Sequence, residues 1–424
     1  MRGLKTDGPR RALRYTVAAL KWLPAAALTG LIGGAVCAAL HVGIRYAALF
    51  RAEHGYVVWL LPAGAVLILL WYKLLRLPPS VGTNRVIDAA NDVSADVPPA
   101  LAPAIFGATV LTQFAGGSAG RAGAALQIGG GLGHGLGRLF RLDAHTRQLL
   151  TLCGMSAVFS ALFGTPIGAA MFVLEVVAVG RFRYGALVPC LTASLVAYFV
   201  NVACGSELTR FSIAAPEGDT PVMFFQTAAL GILCALVSIL FVVAVHRCDH
   251  FAGKFLKNTY LRALILGCIL LGMTLLAGGK KYNGTGMDLV AAAVTGGNAA
   301  WYDFILKLLF TAVTLAAGYK GGEIAPTFCV GAAFGAVAAP LLGMNAALGA
   351  ALGMIAVFCG VTNCPVASVV LAVEIFGGGH LPLFALACGL SYVFSGYFGL
   401  YRSQRILHSK VGHGHDEIDI NTWE

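Results

Sequence analysis

The segment Gly116–Gly130, GGSAGRAGAALQIGG, sets Arg121 and closely spaced glycines inside sequence otherwise apolar enough to cross a bilayer. Backbone that irregular at membrane depth is tolerated only where it lines a site. Glycines that let a short helix begin inside the membrane leave its first amide N–H groups without intrahelical partners, at the positive end of its dipole. Such an end attracts anions. Three segments open in this way: Gly82-Thr-Asn-Arg85, Gly120-Arg-Ala-Gly123 and Gly322-Glu-Ile-Ala-Pro326. If the three ends converge, their neutral donors form a dehydrated anion cage without fixed positive charge, from which the ion can also leave. Glu323 lies inside the third opening. An acid at mid-membrane can titrate and hold or relay a proton, although a charge stabilised by the local helix dipole is the plainer alternative. Arg121 is read as scaffold that satisfies nearby carbonyls, because a fixed cation in a pathway would trap the ion.

Other reactive patterns carry less. Gly116-Gly-Ser118-Ala-Gly120 matches the Gly-x-Ser-x-Gly elbow of serine hydrolases, but that elbow needs a strand-turn-helix context and a histidine base. His134 and His145 have no companion motif, so no enzyme is expected. The eleven cysteines are an odd number, lie mostly in apolar segments and show no Cys-x-x-Cys spacing; they read as small core residues. His413 and His415 in the tail form one loose His-x-His, weak support for a metal. Neither metal nor cofactor is expected.

These residues must be positioned by membrane helices. Hydrophobic residues make up 58% of the 424 and only 11% are charged, and the mean hydropathy is +0.80, a balance that no water-soluble domain sustains. Apolar runs recur from Leu23 to Val42, Val57 to Trp71, Leu149 to Leu174, Ala186 to Ala203, Met223 to Val245, Leu261 to Ala277 and almost continuously from Phe304 to Leu400. At roughly 20 residues per span, about ten or more segments fit. The runs lack period-two alternation, so the chain is an all-α polytopic membrane protein rather than a barrel. Arg2, Lys5, Arg10, Arg11, Arg14 and Lys21 at one end, and Arg402, Arg405 and Lys410 at the other, place both termini in the cytoplasm. The net charge of +10 comes from cations that flank helices, with no basic stripe and interleaved aromatics, so nucleic acid is not an expected partner. The cationic leader runs into a membrane segment without a convincing cleavage site.

The chain also repeats itself. Gly164-Thr-Pro166-Ile-Gly-Ala-Ala-Met-Phe-Val-Leu-Glu175 and Thr362-Asn-Cys-Pro365-Val-Ala-Ser-Val-Val-Leu-Ala-Val-Glu374 both set a proline nine positions before a glutamate. Upstream, Gly120, Gly129 and Gly133 find counterparts in Gly322, Gly331 and Gly335 at a constant offset. The glycines alone would be ordinary close-packing faces; the matched Pro-to-Glu spacing is not so explained. A duplicated unit with interrupted segments at matching positions points to an inverted-repeat transporter or channel with its site between the halves. The organisation read from this is a cytoplasmic N-terminal segment 1–22, a first membrane repeat 23–215, a second repeat 221–407 and a cytoplasmic tail 408–424, with the polar APEGDTP loop between the repeats.

At this point a resemblance becomes specific. GGSAGRAGAALQIGG is similar to the GREGP-type segment of the CLC family of anion channels and proton-coupled antiporters, and FGTPIGAAMFVLE to the helix pair after it. GGEIAP resembles the family's third anion-binding segment, and Leu400-Tyr401-Arg402-Ser403 its final helix, whose tyrosine hydroxyl coordinates the anion. The resemblance runs from about Leu23 to Leu407 in unbroken order. It implies a CLC-type inverted repeat with broken and re-entrant helices, a homodimer with one pathway per subunit, and an anion held by Asn84, Tyr401 and the backbone at Gly120, Ala122, Gly123, Ile324 and Ala325. The first loop, where the family usually offers serine, reads VGTNRVIDA with Asn84 at the corresponding position. With Glu323, this resembles the bacterial fluoride-exporting branch, fluoride/proton antiporters of the inner membrane that protect cells from fluoride. A chloride-selective CLC protein is the alternative. Fluoride is small and strongly hydrated, so amide and hydroxyl donors close at hand must replace its water. Ala122 departs from the pattern, for there the family holds the gating glutamate that competes with the anion and carries the proton. Alanine does neither, which implies anion passage without coupled exchange.

Overall fold

The computed structural model describes residues 8–206, 208–213 and 220–410, with side chains from residue 22 onward. His413, His415 and most of the loop between the repeats lie outside the described residues.

The first half contains α1 (Gly8–Glu53), α2 (Leu61–Leu74), α3 (Thr83–Asn91), α4 (Leu101–Ala115), α5 (Ala122–Leu139), α6 (Ala144–Phe163), α7 (Pro166–Val177) and α8 (Tyr184–Ala203). The second contains α9 (Pro221–Phe255), α10 (Thr259–Leu276), α11 (Met287–Gly296), α12 (Asp303–Ala316), α13 (Ile324–Leu341), α14 (Ala346–Thr362), α15 (Pro365–Phe376) and α16 (Leu381–Phe394). Two short strands of two residues each, β1 (Ala178–Val179) and β2 (Arg405–Ile406), pair in parallel and tie the end of the described chain to the first half. The boundary at residue 22 falls inside α1.

Seven helices among the described residues are long and apolar enough to cross a membrane, and shorter apolar helices accompany them. The apolar sequence that was expected to supply about ten or more segments is thus divided between long and short helices. The near-continuous apolar run from Phe304 to Leu400 is cut into α12 to α16, because single-residue corners end helices without interrupting hydropathy. α6 ends at Gly164 in the left-handed region (φ +73°) and α14 at Asn363 (φ +58°). Each corner is followed within two residues by a proline at the first position of the next helix, where its missing N–H costs nothing. At nine residues and 1.5 Å per residue, α3 extends only about 13 Å, less than half a bilayer core.

The halves meet at their matched glycines. Gly120 N donates to Gly322 O (2.6 Å) and Gly322 N to Gly120 O (2.7 Å), an antiparallel bridge centred between equivalent residues. α5 packs on α6 as α13 packs on α14, and a Cβ at Gly129 or Gly133 would fall against Gly154 O or Leu150 O, as one at Gly331 or Gly335 would fall against Gly353 O or Gly349 O. Glycine at these four positions lets the backbones touch. α7 and α15 lie antiparallel, and a carboxylate near the end of each accepts from the opening amides of the other.

Candidate functional site

Three helices, α3, α5 and α13, begin next to one another. The first helical bond of α5 runs from Ala125 N to Arg121 O, that of α13 from Thr327 N to Glu323 O, and that of α3 from Arg85 N to Gly82 O. Ala122, Gly123, Ala124, Ile324, Ala325, Thr83 and Asn84 thus stand ahead of their ladders, in the part of a helix whose amides have no intrahelical acceptor. Gly120 differs, since its N–H is spent on Gly322 O. The open donors of this segment start at Ala122.

A cavity of about 590 Å³ is lined by Gly82, Thr83, Asn84, Gln127, Glu323 and Tyr401. Its wall runs from exposed residues, Ser80, Asp249 and Arg402, to a buried floor formed by Thr83, Gln127 and Tyr401. Tyr401 is 3% exposed, and its hydroxyl has no hydrogen-bond partner among the described residues. A buried hydroxyl without a partner is uncommon in a folded protein, and this one belongs to a residue that lines the cavity. The segment that carries it is tied down on both sides: Leu400 N donates to Val361 O (3.1 Å), Gln404 Nε2 to Thr362 O (2.8 Å) and Asn363 Nδ2 to Phe398 O (3.0 Å). Lys410 Nζ in turn donates to Asn363 Oδ1 (2.6 Å) and to Tyr392 O (2.8 Å). Tyr401 is held by the chain around it, not by its own oxygen.

Asn84 is exposed at the cavity wall, with its Oδ1 accepting from Ser403 N (3.3 Å). That bond joins α3 to the Tyr401 segment and leaves the amide nitrogen as donor. Glu323 precedes α13, and its Oε2, buried without a partner, lies 3.3 Å from where a Cβ on Gly123 would sit. The carboxyl of the second repeat therefore reaches the first turn of α5 in the first repeat. Ala122 is fully buried beside it. Arg121 is near enough to Cys37 and His41 of α1 for its charge to act on them, and it is not among the residues that line the cavity.

Sequence reasoning passed over two of the buried polar residues. Gln127 Nε2 donates to Thr83 Oγ1 (3.0 Å), and the pair is 4% and 9% exposed. Gln127 was detectable as the residue one helical turn beyond Gly123, on the same face; Thr83 adjoins the asparagine that drew notice. Ser118, of the hydrolase-like pattern, hydrogen-bonds Thr311 Oγ1 (3.2 Å) through its hydroxyl and Thr314 Oγ1 (3.0 Å) through its amide. His134 is engaged by Asp96 (2.8 Å) and Thr151 (3.3 Å).

Two antiparallel-related halves, interrupted helices and one cavity at their meeting point define an inverted-repeat membrane protein with a central site. A profile of the voltage gated chloride channel family matches residues 63–396, and the chain belongs to that family. It is 37% identical over 400 residues to a chloride/fluoride channel protein of Pseudomonas syringae pv. tomato, an alignment spanning 92% of this chain and 87% of the relative. It is 28% identical over 286 residues to an H(+)/Cl(-) exchange transporter of Vibrio cholerae, covering 62% of this chain and 59% of that one. A solved CLC-type fluoride/proton antiporter superposes with a TM-score of 0.88 at 29% identity, covering 91% of this chain and 98% of the other. A slow cyanobacterial Cl-/H+ antiporter superposes at 0.76 with 19% identity, which speaks for the fold alone.

Proposed function

We propose that this protein carries fluoride across a bacterial inner membrane, with both termini in the cytoplasm, and that it does so without coupled proton exchange because alanine stands at residue 122. The observation that carries the reading is the Tyr401 hydroxyl, buried and without a partner in a cavity that also receives Asn84 and Glu323. The anion is proposed to lie between that hydroxyl, the Asn84 amide and the open backbone donors of Ala122, Gly123, Ile324 and Ala325. Gly120 supports the site by its bridge to Gly322. Neutral donors fixed before the ion arrives replace fluoride's water without the reorganisation that a flexible site would require.

Glu323 is proposed as the proton-holding group. Its unpartnered Oε2 against the first turn of α5 supports this reading, since an acid at membrane depth is able to hold or relay a proton. The family resemblance further suggests a homodimer with one pathway per subunit.

The deciding experiment is efflux from liposomes containing the purified protein, read with a fluoride electrode and, in parallel, a chloride electrode. Fluoride is expected to leave much faster than chloride, without proton uptake. Chloride preference would overturn the assignment and favour a chloride-selective protein of the same fold.

A further inference from the structure

The helix ends were expected to form a cage without fixed positive charge; the wider cavity around them is lined by cations, Lys320 among them. Lys320 immediately precedes Gly321, Gly322 and Glu323, so it sits at the root of the third helix opening. Its ammonium does not turn away toward solvent. Nζ donates to Pro79 O (2.5 Å), in the loop that leads into α3, and stands 5.2 Å from the centroid of the Tyr72 ring. The group is thereby pinned between the approaches to two of the three helix starts.

The surrounding charges leave Lys320 only partly compensated. Of the acids in the lining, Asp249 is already 3.7 Å from Arg262 Nη1. That leaves Glu323, three residues along the chain, whose carboxyl turns toward Gly123. One carbonyl also accounts for only one of the three hydrogens of an ammonium. Arg402 lines the exposed part of the same cavity. A cation held partway along such a wall, with low-dielectric protein behind it, concentrates anions at that depth.

We propose that Lys320 is a cationic station in the vestibule that draws a small monovalent anion toward the buried donors around Tyr401. This rests on the anion-transport reading and adds to it the residue that governs capture, as distinct from the neutral donors that hold the ion. Attraction ends where the neutral cage begins, so the ion is collected by charge and released from dipoles. The lysine stays outside the cage, where its charge raises the rate of arrival without trapping the ion.

The test is fluoride flux into neutral-lipid liposomes at subsaturating fluoride, measured at about 10 mM and about 300 mM of an inert salt, between which the screening length falls from roughly 30 Å to below 10 Å. The protein is expected to lose flux as salt rises. Lys320→Met should lower flux at low salt by about tenfold, raise the half-saturating fluoride concentration with the maximal rate kept within about twofold, and lose the salt dependence. Lys320→Arg should retain the salt dependence. A residue that merely staples the Pro79 loop would change the maximal rate at every salt concentration alike, and a Met variant with the unaltered salt slope would overturn the proposal. If the Met variant does not yield monodisperse protein, Lys320→Gln, neutral but still a donor, takes its place with the same expectations. If the unaltered protein moves chloride and not fluoride, the fluoride assignment fails; the same salt comparison made with chloride then decides the role of Lys320 separately.

Discussion

Glu175 and Glu374 cap each other's helices. The Glu175 carboxylate, near the end of α7, accepts from Val366 N (3.2 Å) and Ala367 N (2.8 Å) at the start of α15. Glu374, near the end of α15, accepts from Ile167 N (2.9 Å) and Gly168 N (2.7 Å) at the start of α7. Each glutamate thus supplies the acceptor that the other repeat's first turn lacks, and charge-assisted bonds of this kind are the stronger sort. Glu175→Gln and Glu374→Gln should each lower unfolding stability in detergent by about 1–2 kcal/mol. The two caps sit at opposite ends of helices of 12 residues, roughly 18 Å long, so their effects should add to within about 0.5 kcal/mol. A double variant no less stable than either single one would contradict independent caps.

The duplication was legible because it preserves spacing: Pro166 to Glu175 and Pro365 to Glu374 need only be counted. What those glutamates do was not, since their partners lie about two hundred residues away in the opposite repeat. Residues 82–85, 120–123 and 322–326 were recognisable as helix openings from glycine placement, and Tyr401 from the motif around it. Where one helix gives way to the next was not recoverable, since corners at Gly164 and Asn363 leave the apolar runs unbroken. Lys320 was invisible as a cavity residue because a lysine beside two glycines reads as an interfacial cation until its ammonium is found on Pro79 O.

Tyr401 offers a clean separation of function from stability. Its hydroxyl makes no hydrogen bond within the described protein, so Tyr401→Phe removes no structural contact and should leave thermal unfolding in detergent unchanged or slightly raised. The same change deletes one donor to an ion, which at about 1.5–3 kcal/mol corresponds to a loss of roughly tenfold or more in fluoride affinity. Binding measured by calorimetry on the purified protein checks both halves; a marked loss of stability with unchanged affinity would place the hydroxyl in the scaffold instead.

The glycine contacts predict a matched pair of defects. A Cβ at Gly133 meets Leu150 O and one at Gly335 meets Gly349 O, both backbone atoms that cannot rotate aside. Gly133→Ala and Gly335→Ala should each destabilise by about 1–3 kcal/mol, visible as a lower fraction of monodisperse protein after heating. Gly135, on α5 but with nothing within 4 Å of its Cβ position, is the control, and Gly135→Ala should be neutral or stabilising by up to about 1 kcal/mol.

Just ahead of the apolar helix α6, the N-cap residue Asp143 accepts through its side chain from Thr146 Oγ1 (2.5 Å) and Thr146 N (3.1 Å). The hydroxyl bond first, and then the amide bond, hold its carboxyl below the usual aspartate value. A depressed folded-state value means that the ionised cap stabilises the protein above the unfolded pKa, near 3.9, and that this contribution disappears as pH falls through the folded one. Asp143→Ala should therefore cost about 1 kcal/mol at pH 7, an amount kept modest by solvent screening at this exposed site, and the difference should shrink as pH is lowered from about 4 toward 2. Unfolding curves of the two proteins that stay equally separated down to that pH would rule out the ionised cap.

Ala122 supplies the sharpest test of how the site is assembled. It is fully buried at the first position of α5, one residue before Gly123, against which the Glu323 Oε2 already lies. Ala122→Glu puts a second carboxyl into space that holds one carboxyl and, in transit, an anion. Two carboxyls so close do not both stay ionised, and their protons are bound and released as a pair. Entry of an anion then requires the new side chain to leave or to take up a proton, which is the condition for exchange. In liposomes, a fluoride gradient across the Ala122→Glu protein should therefore drive proton movement that the unaltered protein does not support, with slower maximal fluoride flux. Proton movement should fall again in the Ala122→Glu, Glu323→Gln double variant if Glu323 relays the proton. Fluoride flux unchanged in rate and unaccompanied by protons would mean that residue 122 does not face the ion.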